Sequence, residues 1–522
     1  MTNAGVLLSK KISSTLKNLQ YNSDGYWTLN KPSLLSSMFN KSSSKKITIV
    51  TPVYNAENSL NKTIDSVLNQ TIGFNNIEYI LVDDCSTDDS RKVLLQYAFK
   101  HPNIKLVFLK ENSGSPAHPR NLGIELSTAN YITFLDSDDW LAPNGMQALI
   151  EIAETSQDDY IVGKTIKVED ESESFVGEHQ SARERRSVDP YSVPSMFQHL
   201  GPPSKLIKTK ILKDNHIEFP DMKFAEDKQF FIDVLINCKS VSTTGQIVSY
   251  INRLKDNNSS LTTKTSVMEK MDSNIKVINY VIEKKLDVEK EKLILNRLFE
   301  FDSITRLFDR YHFFRSDDKQ AYYEKFNQVL KSTRKLNYDF TENFFWPLHK
   351  VVYDLFMEKK YDDITKLLRW NKKEKDKSYI IKEGLPFMVV PFMENKRKHI
   401  EVPMLAIFDQ DRFSGDHYYL DFKVYGKHLS EVNDVVFRHR KDINIEYILN
   451  YEQNGNDFTL KIPLESLSQF SASTYSIFLR FNEYRKIHIM KINHNQLTYE
   501  NKNYKFYTTV NSNIALNIKN VN

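Results

Sequence analysis

From Lys46 onward, apolar runs of about five to seven residues alternate with segments in which apolar positions recur every three or four residues. The first kind reads as buried strands, the second as amphipathic helices laid against them. Strand 47–53 leads through Asn55 into a helix carrying Leu60, Ile64, Val67 and Leu68 on one face, and strand 77–83 leads through Ser86 into helix 87–100. Ser86 is a good N-cap, and Asp88 and Asp89 suit the positive end of that helix. Strand 104–109 follows, and the turn-rich run Asn112 to Asn121 opens a helix over 120–128 ahead of strand 131–135. Pro143 starts a helix over about 143–155, and Tyr160 to Lys164 is a further strand. Residues 168–186, acidic and then basic without an apolar period, read as a surface loop. Strands over 204–211 and 241–253 flank a helix beginning near Ala225 that carries Phe230, Phe231, Val234 and Leu235 inward. Such alternation with short connections predicts an α/β domain over 46–265, built on a doubly wound, mostly parallel sheet.

The pattern changes on both sides of that domain. In residues 1–45, Leu8, Ile12, Leu16 and Leu19 recur at helical spacing with Lys10, Lys11 and Lys17 between them. This N-terminal amphipathic extension reads as docked on its own protein or a partner subunit, with contact to a membrane surface as the alternative. Ser42 to Lys46 reads as a linker. Residues 266–378 form a helical linker domain, rich in Leu, Ile, Phe and Tyr and ending in the charged connector Asn371 to Lys377. From 379 to 522, short runs at 402–408, 417–425, 444–450, 457–462, 475–481 and 487–492 are separated by Asn, Gly, Asp and Ser turns, the spacing of an antiparallel β-sandwich.

A chain of 522 residues with 40% apolar and 12% aromatic residues exceeds a single core and can fill several. No run approaches the about 18 apolar residues of a membrane-spanning helix. Met1 to Leu8 have neither the charge nor the apolar length of a secretory signal, so a cytoplasmic location is expected, peripheral at the inner membrane face at most. The two cysteines, Cys85 and Cys238, lie far apart and suggest neither zinc nor a disulfide framework. A net charge of +4 gives nucleic-acid binding no support.

Chemistry enters where the strands end. Carboxylates beyond the carboxyl ends of parallel strands sit where open α/β sheets bind ligands. Asp136 and Asp138 follow the apolar strand 131–135, a spacing suited to a hard divalent cation. Of Asp83 and Asp84, capping by Ser86 releases at least one to accept from a nucleobase N–H or ribose hydroxyls, and Asp84 is the choice. Pro52, Tyr54 and Asn55 can wall a base pocket, although Pro52 serves equally as a strand terminator. Arg120 offers a planar fork for phosphate or ribose, and Asn112 can add a base contact. Glu226 and Asp227 open a helix. One of them, with Asp227 the better fit, can take a proton from an acceptor hydroxyl; both can equally serve the helix dipole alone.

Together these pieces resemble glycosyltransferase family 2, the inverting GT-A group. The likeness rests on Thr51-Pro52-Val53-Tyr54-Asn55, Val82 to Asp88, Asn112-Ser113-Gly114, Pro119-Arg120-Asn121, Asp136-Ser137-Asp138-Asp139 and Ala225-Glu226-Asp227. The resemblance implies Asp138 as the metal-side aspartate for Mn²⁺ or Mg²⁺ and Asp227 as catalytic base with Glu226 beside it. It also implies Pro52, Asp84, Asn112 and Arg120 as donor contacts. Within the family the layout is similar to the poly(ribitol-phosphate) N-acetylglucosaminyltransferases of wall teichoic acid, through Ser113 to Asn121 and Lys213 to Pro220. That likeness implies a UDP-sugar donor, UDP-GlcNAc favoured, an anionic polyol-phosphate polymer as acceptor, and a homo-oligomer, a trimer, assembled through the β-rich module. A Tyr250 to Arg253 stretch followed by Ser259 and Ser260 resembles their mobile donor-diphosphate loop, making Arg253 a candidate phosphate ligand. The chain departs from the pattern at Ser115 and Asn257, which leaves donor sugar and linkage open. The other readings are a capsule or exopolysaccharide transferase with a lipid-linked acceptor, and a non-catalytic carbohydrate-binding scaffold.

Overall fold

The computed structural model describes residues 3–29, 45–255, 265–492 and 495–521. Ser42 to Ser44 of the expected linker, and Asn257, Ser259 and Ser260 of the expected mobile loop, lie outside the described residues. The chain divides into two units, Met1–Val277 and Ile278–Asn522.

The strands of the first unit are β1 (Tyr26–Leu29), β2 (Ile47–Val53), β3 (Ile77–Asp83), β4 (Ile104–Leu109), β5 (Tyr131–Phe134), β6 (Trp140–Leu141), β7 (Tyr160–Val168), β8 (Glu173–Val176), β9 (Arg185–Val188), β10 (Lys205–Lys208) and β11 (Val241–Asn252). They join in the order β1-β4-β3-β2-β5-β10-β7-β11-β6, with β8 on β7 and β9 on β11. Strands β4, β3, β2 and β5 are parallel and buried along their whole length, which is why they read as unbroken apolar runs. The chain steps outward from β2 through β3 to β4, then returns on the other side of β2 as β5. The topological switch therefore lies between β2 and β5, and the crevice beyond their carboxyl ends is where such sheets take ligands. The parallel expectation describes this half. Strand β10 is antiparallel to β5 and β7, β1 to β4 and β6 to β11, so the sheet as a whole is mixed.

Helices α1 (Asn3–Lys17), α2 (Leu60–Leu68) and α3 (Ser90–Lys100) share one core with the faces of Ile47, Ile49, Tyr79, Leu81, Leu106 and Phe108. On the opposite face α4 (Ala117–Leu126) approaches β2 so closely that a Cβ on Gly123 would fall 2.3 Å from Val50 Cγ1, and only glycine fits there. The N-terminal extension is docked on its own unit. Ile12 is buried in this core, Leu8, Leu16 and Leu19 pack at its margin, and the Lys11 ammonium lies 4.0 Å from the Phe99 ring centre. The extension also supplies β1, whose Trp27 stacks on Phe108 at 5.1 Å.

Residues 168–186 are not simply a loop: β8 pairs back on the end of β7, a helical turn spans Glu178–Ser181, and Arg185 and Arg186 enter β9. The expected strand over 204–211 stops at Lys208 and turns into a short helix, Thr209–Asp214.

The second unit begins with helices, among them Val288–Phe299, which runs into a π-helical turn at Glu300–Thr305. The buried Glu300 carboxylate there accepts from Phe345 N (2.9 Å), Trp346 N (2.8 Å) and His349 Nδ1 (3.0 Å), fixing the start of helix Pro347–Met357. Tyr379–Lys382, Leu385–Val389 and His399–Glu401 form a separate three-stranded sheet, and the strands from Met404 onward form a second sheet that folds over a shared core, with Tyr418 stacked on Phe506 at 4.1 Å. Its pairings are antiparallel except Met404–Ser414 against Arg485–Met490. The helical and β-rich regions, expected as separate domains, share this unit: the Arg485 guanidinium lies 3.0 Å from the Phe345 ring centre. Among the described residues no helix is long and apolar enough to cross a membrane.

Candidate active site

At the exits of β2 and β3 the backbone turns through left-handed residues, Asn55 (φ 47°) and Cys85 (φ 59°). Between them the two aspartates part in role. Asp83 is fully buried; its Oδ2 accepts from Arg91 Nε (2.5 Å) and Ser86 N (3.2 Å), and burial pushes its carboxyl up against the pull of Arg91. Asp84 accepts from Ser113 N (2.8 Å), Ser113 Oγ (3.0 Å) and Asn112 Nδ2 (3.2 Å), so two expected donor contacts, Asp84 and Asn112, are brought into one bonded unit. Burial raises this carboxyl too, opposed by the Ser113 bonds. Ser86 is not the helix cap. Helix α3 begins at Ser90, and Ser86 Oγ accepts instead from Asn55 N (3.0 Å), while Asp88 Oδ2 accepts from Glu57 N (3.1 Å). These side chains stitch the β2 exit to the β3 exit. Pro52 is buried within β2, and Tyr54 is half-exposed beside it.

The acidic turn after β5 hangs from α2. Ser137 O accepts from Ser59 Oγ (2.8 Å) and Thr63 Oγ1 (3.0 Å), and Asp139 O accepts from Thr63 Oγ1 (2.7 Å). Asp139 is buried, with Oδ1 accepting from Asn252 N (2.8 Å) at the end of β11; burial, then Asp138 and Asp136, push its carboxyl well above the usual range. That bond brings the neighbouring Arg253 within electrostatic reach of the turn, and the Arg253 guanidinium donates to Asn252 O (2.7 Å). Among the described residues no group of three or more His, Cys, Asp or Glu side chains surrounds a common point. Asp136 is engaged by Arg120, Asp139 is buried and Asp138 is partly exposed. This donor set fits a divalent ion held by one carboxylate together with diphosphate oxygens and water, the usual magnesium mode, and does not fit a cage made of protein alone.

Arg120 joins this turn to the helix that starts at Glu226. It is 3% exposed, and its Nη2 donates to Asp136 Oδ1 (2.7 Å) while Nη1 donates to Glu226 Oε1 (3.1 Å). The fork expected to face phosphate or ribose is thus turned inward onto two carboxylates. Helix Glu226–Asn237 is entered through Ala225 in the left-handed region (φ 67°). Burial and the adjacent Asp227 push Glu226 up to about 7 despite Arg120. Asp227 is only partly buried; its Oδ1 accepts from Lys228 N (2.8 Å), and a Cβ on Gly201 would lie 3.7 Å from its Oδ2.

Residues 48–222 match the model for "Glycosyl transferase family 2". This segment is a glycosyl transferase family 2 domain. It is 34% identical over 206 residues to the poly(ribitol-phosphate) beta-glucosyltransferase of Bacillus spizizenii, covering 39% of this chain and 32% of that protein. Against the poly(ribitol-phosphate) beta-N-acetylglucosaminyltransferase TarP of Staphylococcus aureus the identity is 33% over 211 residues, covering 40% of this chain and 62% of TarP. The aligned part therefore spans about a third to three-fifths of these relatives. The crystal structure of S. aureus TarS shares the fold over 91% of this chain and 86% of its own, with a TM-score of 0.55 and 17% sequence identity. A second TarS structure, residues 1–349 with UDP-GlcNAc, matches over 68% of this chain and 99% of its own at a TM-score of 0.55 and 20% identity. The family 2 segment contains Pro52, Tyr54, Asp84, Asn112, Arg120, Asp136 and Asp138; Glu226, Asp227 and Arg253 follow it.

Sequence reasoning missed the neighbours of Asp227. Lys205, on β10, is 1% exposed, with Nζ 3.1 Å from His199 Nδ1 and 3.3 Å from Pro203 O. The signal available was a lysine at the start of the apolar run Leu206-Ile207.

Proposed function

We propose that this protein is an inverting glycosyltransferase that moves N-acetylglucosamine from UDP-GlcNAc to hydroxyls of a polyol-phosphate polymer. The observation that carries the reading is the bridge formed by Arg120, which ties the acidic turn beyond β5, inside a family 2 segment whose relatives are named for poly(ribitol phosphate), to Glu226–Asp227 just after it. Asp84, held by Ser113, and Asn112 receive the nucleoside, with Pro52 and Tyr54 beside the base. Asp136, steadied by Arg120, borders the diphosphate, and Arg253 reaches it from the end of β11. A divalent ion, Mn²⁺ or Mg²⁺, bound at Asp138 would supply positive charge for the leaving diphosphate. Asp227 accepts the proton of the attacking hydroxyl, with Glu226 fixed beside it by Arg120. Attack from the face opposite the leaving UDP inverts the anomeric carbon. The β-rich module over 379–522 assembles the protein as a trimer and holds the repeating acceptor, raising its local concentration.

Glucose is the second donor, favoured by the B. spizizenii relative, a glucosyltransferase. Incubating the purified protein with UDP-GlcNAc, UDP-GalNAc and UDP-glucose, each with poly(ribitol phosphate) or poly(glycerol phosphate), and analysing products by NMR tests the reading. UDP release that depends on the ribitol polymer, with a β-linked product, is expected. Turnover only with a lipid-linked acceptor, or none with any polymer, would overturn it.

A further inference from the structure

Two lines of contact lead from the N-terminal extension, which lies outside the family 2 segment, to the residues around Asp84. The first runs through Arg91 on α3. Its Nε donates to Asp83 Oδ2 (2.5 Å) at the end of β3, its Nη2 donates to Leu109 O (2.7 Å) at the end of β4, and its guanidinium carbon lies 4.8 Å from the Phe108 ring centre. The remaining nitrogen, Nη1, donates to Tyr21 OH (3.5 Å) in the connection between α1 and β1. One planar fork thereby ties two strand ends and the extension together.

The second line is backbone. Lys110, the first residue after β4, donates its N–H to Gly25 O (3.0 Å), one rung beyond the Tyr26–Leu109 pair, and its own O accepts from the thiol of Cys85 (3.4 Å), the residue after Asp84. Gly25 is itself set in a closed turn: its N–H donates to Asn22 O (3.2 Å), Tyr26 N donates to Asn22 Oδ1 (2.9 Å), and its φ of 80° is left-handed. The segment from Lys110 to Ser113 is therefore anchored at both ends, by Gly25 at the start and by Asp84, through Asn112 and Ser113, at the finish.

On the reading of Asp84 and Asn112 as nucleoside contacts, we propose that the N-terminal arm, residues 3–29, is a positioning element of the donor pocket, acting through Arg91 on the strand end that carries Asp84 and through Gly25 on the loop that holds it. An anchored loop meets the nucleoside already ordered; with one anchor gone the ligand must order it, and that cost appears in donor affinity. The nucleoside contacts are the same in the bound donor and during transfer, so their weakening raises KM and leaves kcat in place. An arm that served stability alone would lower Tm and leave donor affinity untouched.

The test is calorimetry with UDP, beside KM and kcat for UDP-GlcNAc on poly(ribitol phosphate), for the full chain and its variants Arg91→Met, Tyr21→Phe, Gly25→Ala, Lys11→Ala and Asp84→Asn. A Cβ at Gly25 meets nothing within 4 Å, so Gly25→Ala acts through its left-handed backbone and displaces the carbonyl that holds Lys110. UDP affinity and KM for UDP-GlcNAc should worsen about tenfold in Arg91→Met and about threefold in Tyr21→Phe and Gly25→Ala, with kcat within about twofold and KM for the polymer unchanged. Lys11→Ala, on the same arm but against Phe99, should bind UDP as wild type does. Arg91→Lys, which keeps the charge without the three-way fork, carries the same measurement if the Met variant is insoluble. Wild-type UDP affinity in the Arg91 and Gly25 variants, a fall in kcat at unchanged KM, or a loss in Lys11→Ala equal to that in Gly25→Ala overturns the proposal. Unchanged UDP affinity in Asp84→Asn overturns the nucleoside reading and the proposal with it; a weakened Asp84→Asn beside unaffected Arg91 and Gly25 variants overturns only the role of the arm.

Discussion

Replacing Arg120 with Met separates a clamp from a ligand contact. The guanidinium is 4% exposed as a side chain and neutralises Glu226, whose side chain is 11% exposed, and Asp136, whose side chain is 36% exposed. Breaking a buried pair by removing one partner costs about 3–5 kcal/mol, because a charge is left without compensation. Water can reach Asp136 and replace part of its loss, so most of the effect falls on Glu226, and the lower bound, about 3 kcal/mol, applies above the value of about 7 to which burial raises that carboxyl, where it is ionised. For a unit of this size that is a fall in Tm of roughly 6–12 °C, read by differential scanning calorimetry in the absence of donor. Glu226→Gln in the same chain should restore part of the loss, since the stranded charge is then gone, and the double-mutant cycle should give a coupling of about 1–3 kcal/mol. A Met variant whose Tm stays within about 2 °C of wild type while UDP affinity collapses would refute the reasoning and return Arg120 to the donor's surface.

Asp227→Ala should lower turnover by about 10²–10⁴-fold while UDP-GlcNAc affinity, measured by calorimetry, changes only a few-fold; substantial residual turnover would shift the base role to Glu226. Asp138→Ala should weaken UDP binding in the presence of Mn²⁺ far more than in EDTA, and a wild-type rate indifferent to EDTA would exclude a divalent ion. Glu78 is buried and accepts from Thr48 Oγ1 (2.6 Å), Lys105 Nζ (3.0 Å) and Thr128 N (2.8 Å); burial alone would raise its carboxyl, but these partners together hold it below the usual range. A carboxyl lowered in the folded state contributes stability above its unfolded pKa and loses it in acid. Glu78→Gln should thus cost about 2 kcal/mol at pH 7 in urea unfolding, with the difference shrinking below about pH 4.

The parallel core was legible because β2, β3, β4 and β5 are buried on both faces and sequence records that as unbroken apolar runs. Edge strands leave a weaker record. The exposed and half-exposed Arg185 to Val188 owe their extended form to β11, and Glu173 to Val176 to β7, so neither carries a period of its own. The aspartate, arginine and Glu-Asp motifs named the site's residues, but their partners lie far along the chain. Ser86 satisfies every local rule for a cap, yet its oxygen is claimed by Asn55, 31 positions earlier. Arg120 meets Glu226 across 106 positions, and this contact turns it from a surface fork into an internal tie. Lys205 looked like one basic residue in a strand; only the sheet order, with β10 between β5 and β7, makes it internal.

The pairing of β1 with β4 bears on self-association. Without Tyr26 to Leu29, the outermost strand would be Ile104-Lys105-Leu106-Val107-Phe108-Leu109, a run of β-forming residues with its backbone donors and acceptors open to another chain. Such an exposed, apolar edge is a template for intermolecular pairing. The short N-terminal strand closes it, with Trp27 over Phe108 as its anchor. Solubility of this α/β unit is therefore vested partly in residues remote from the donor crevice, and a truncation that spares every carboxylate of that crevice can still convert the protein into an aggregating one.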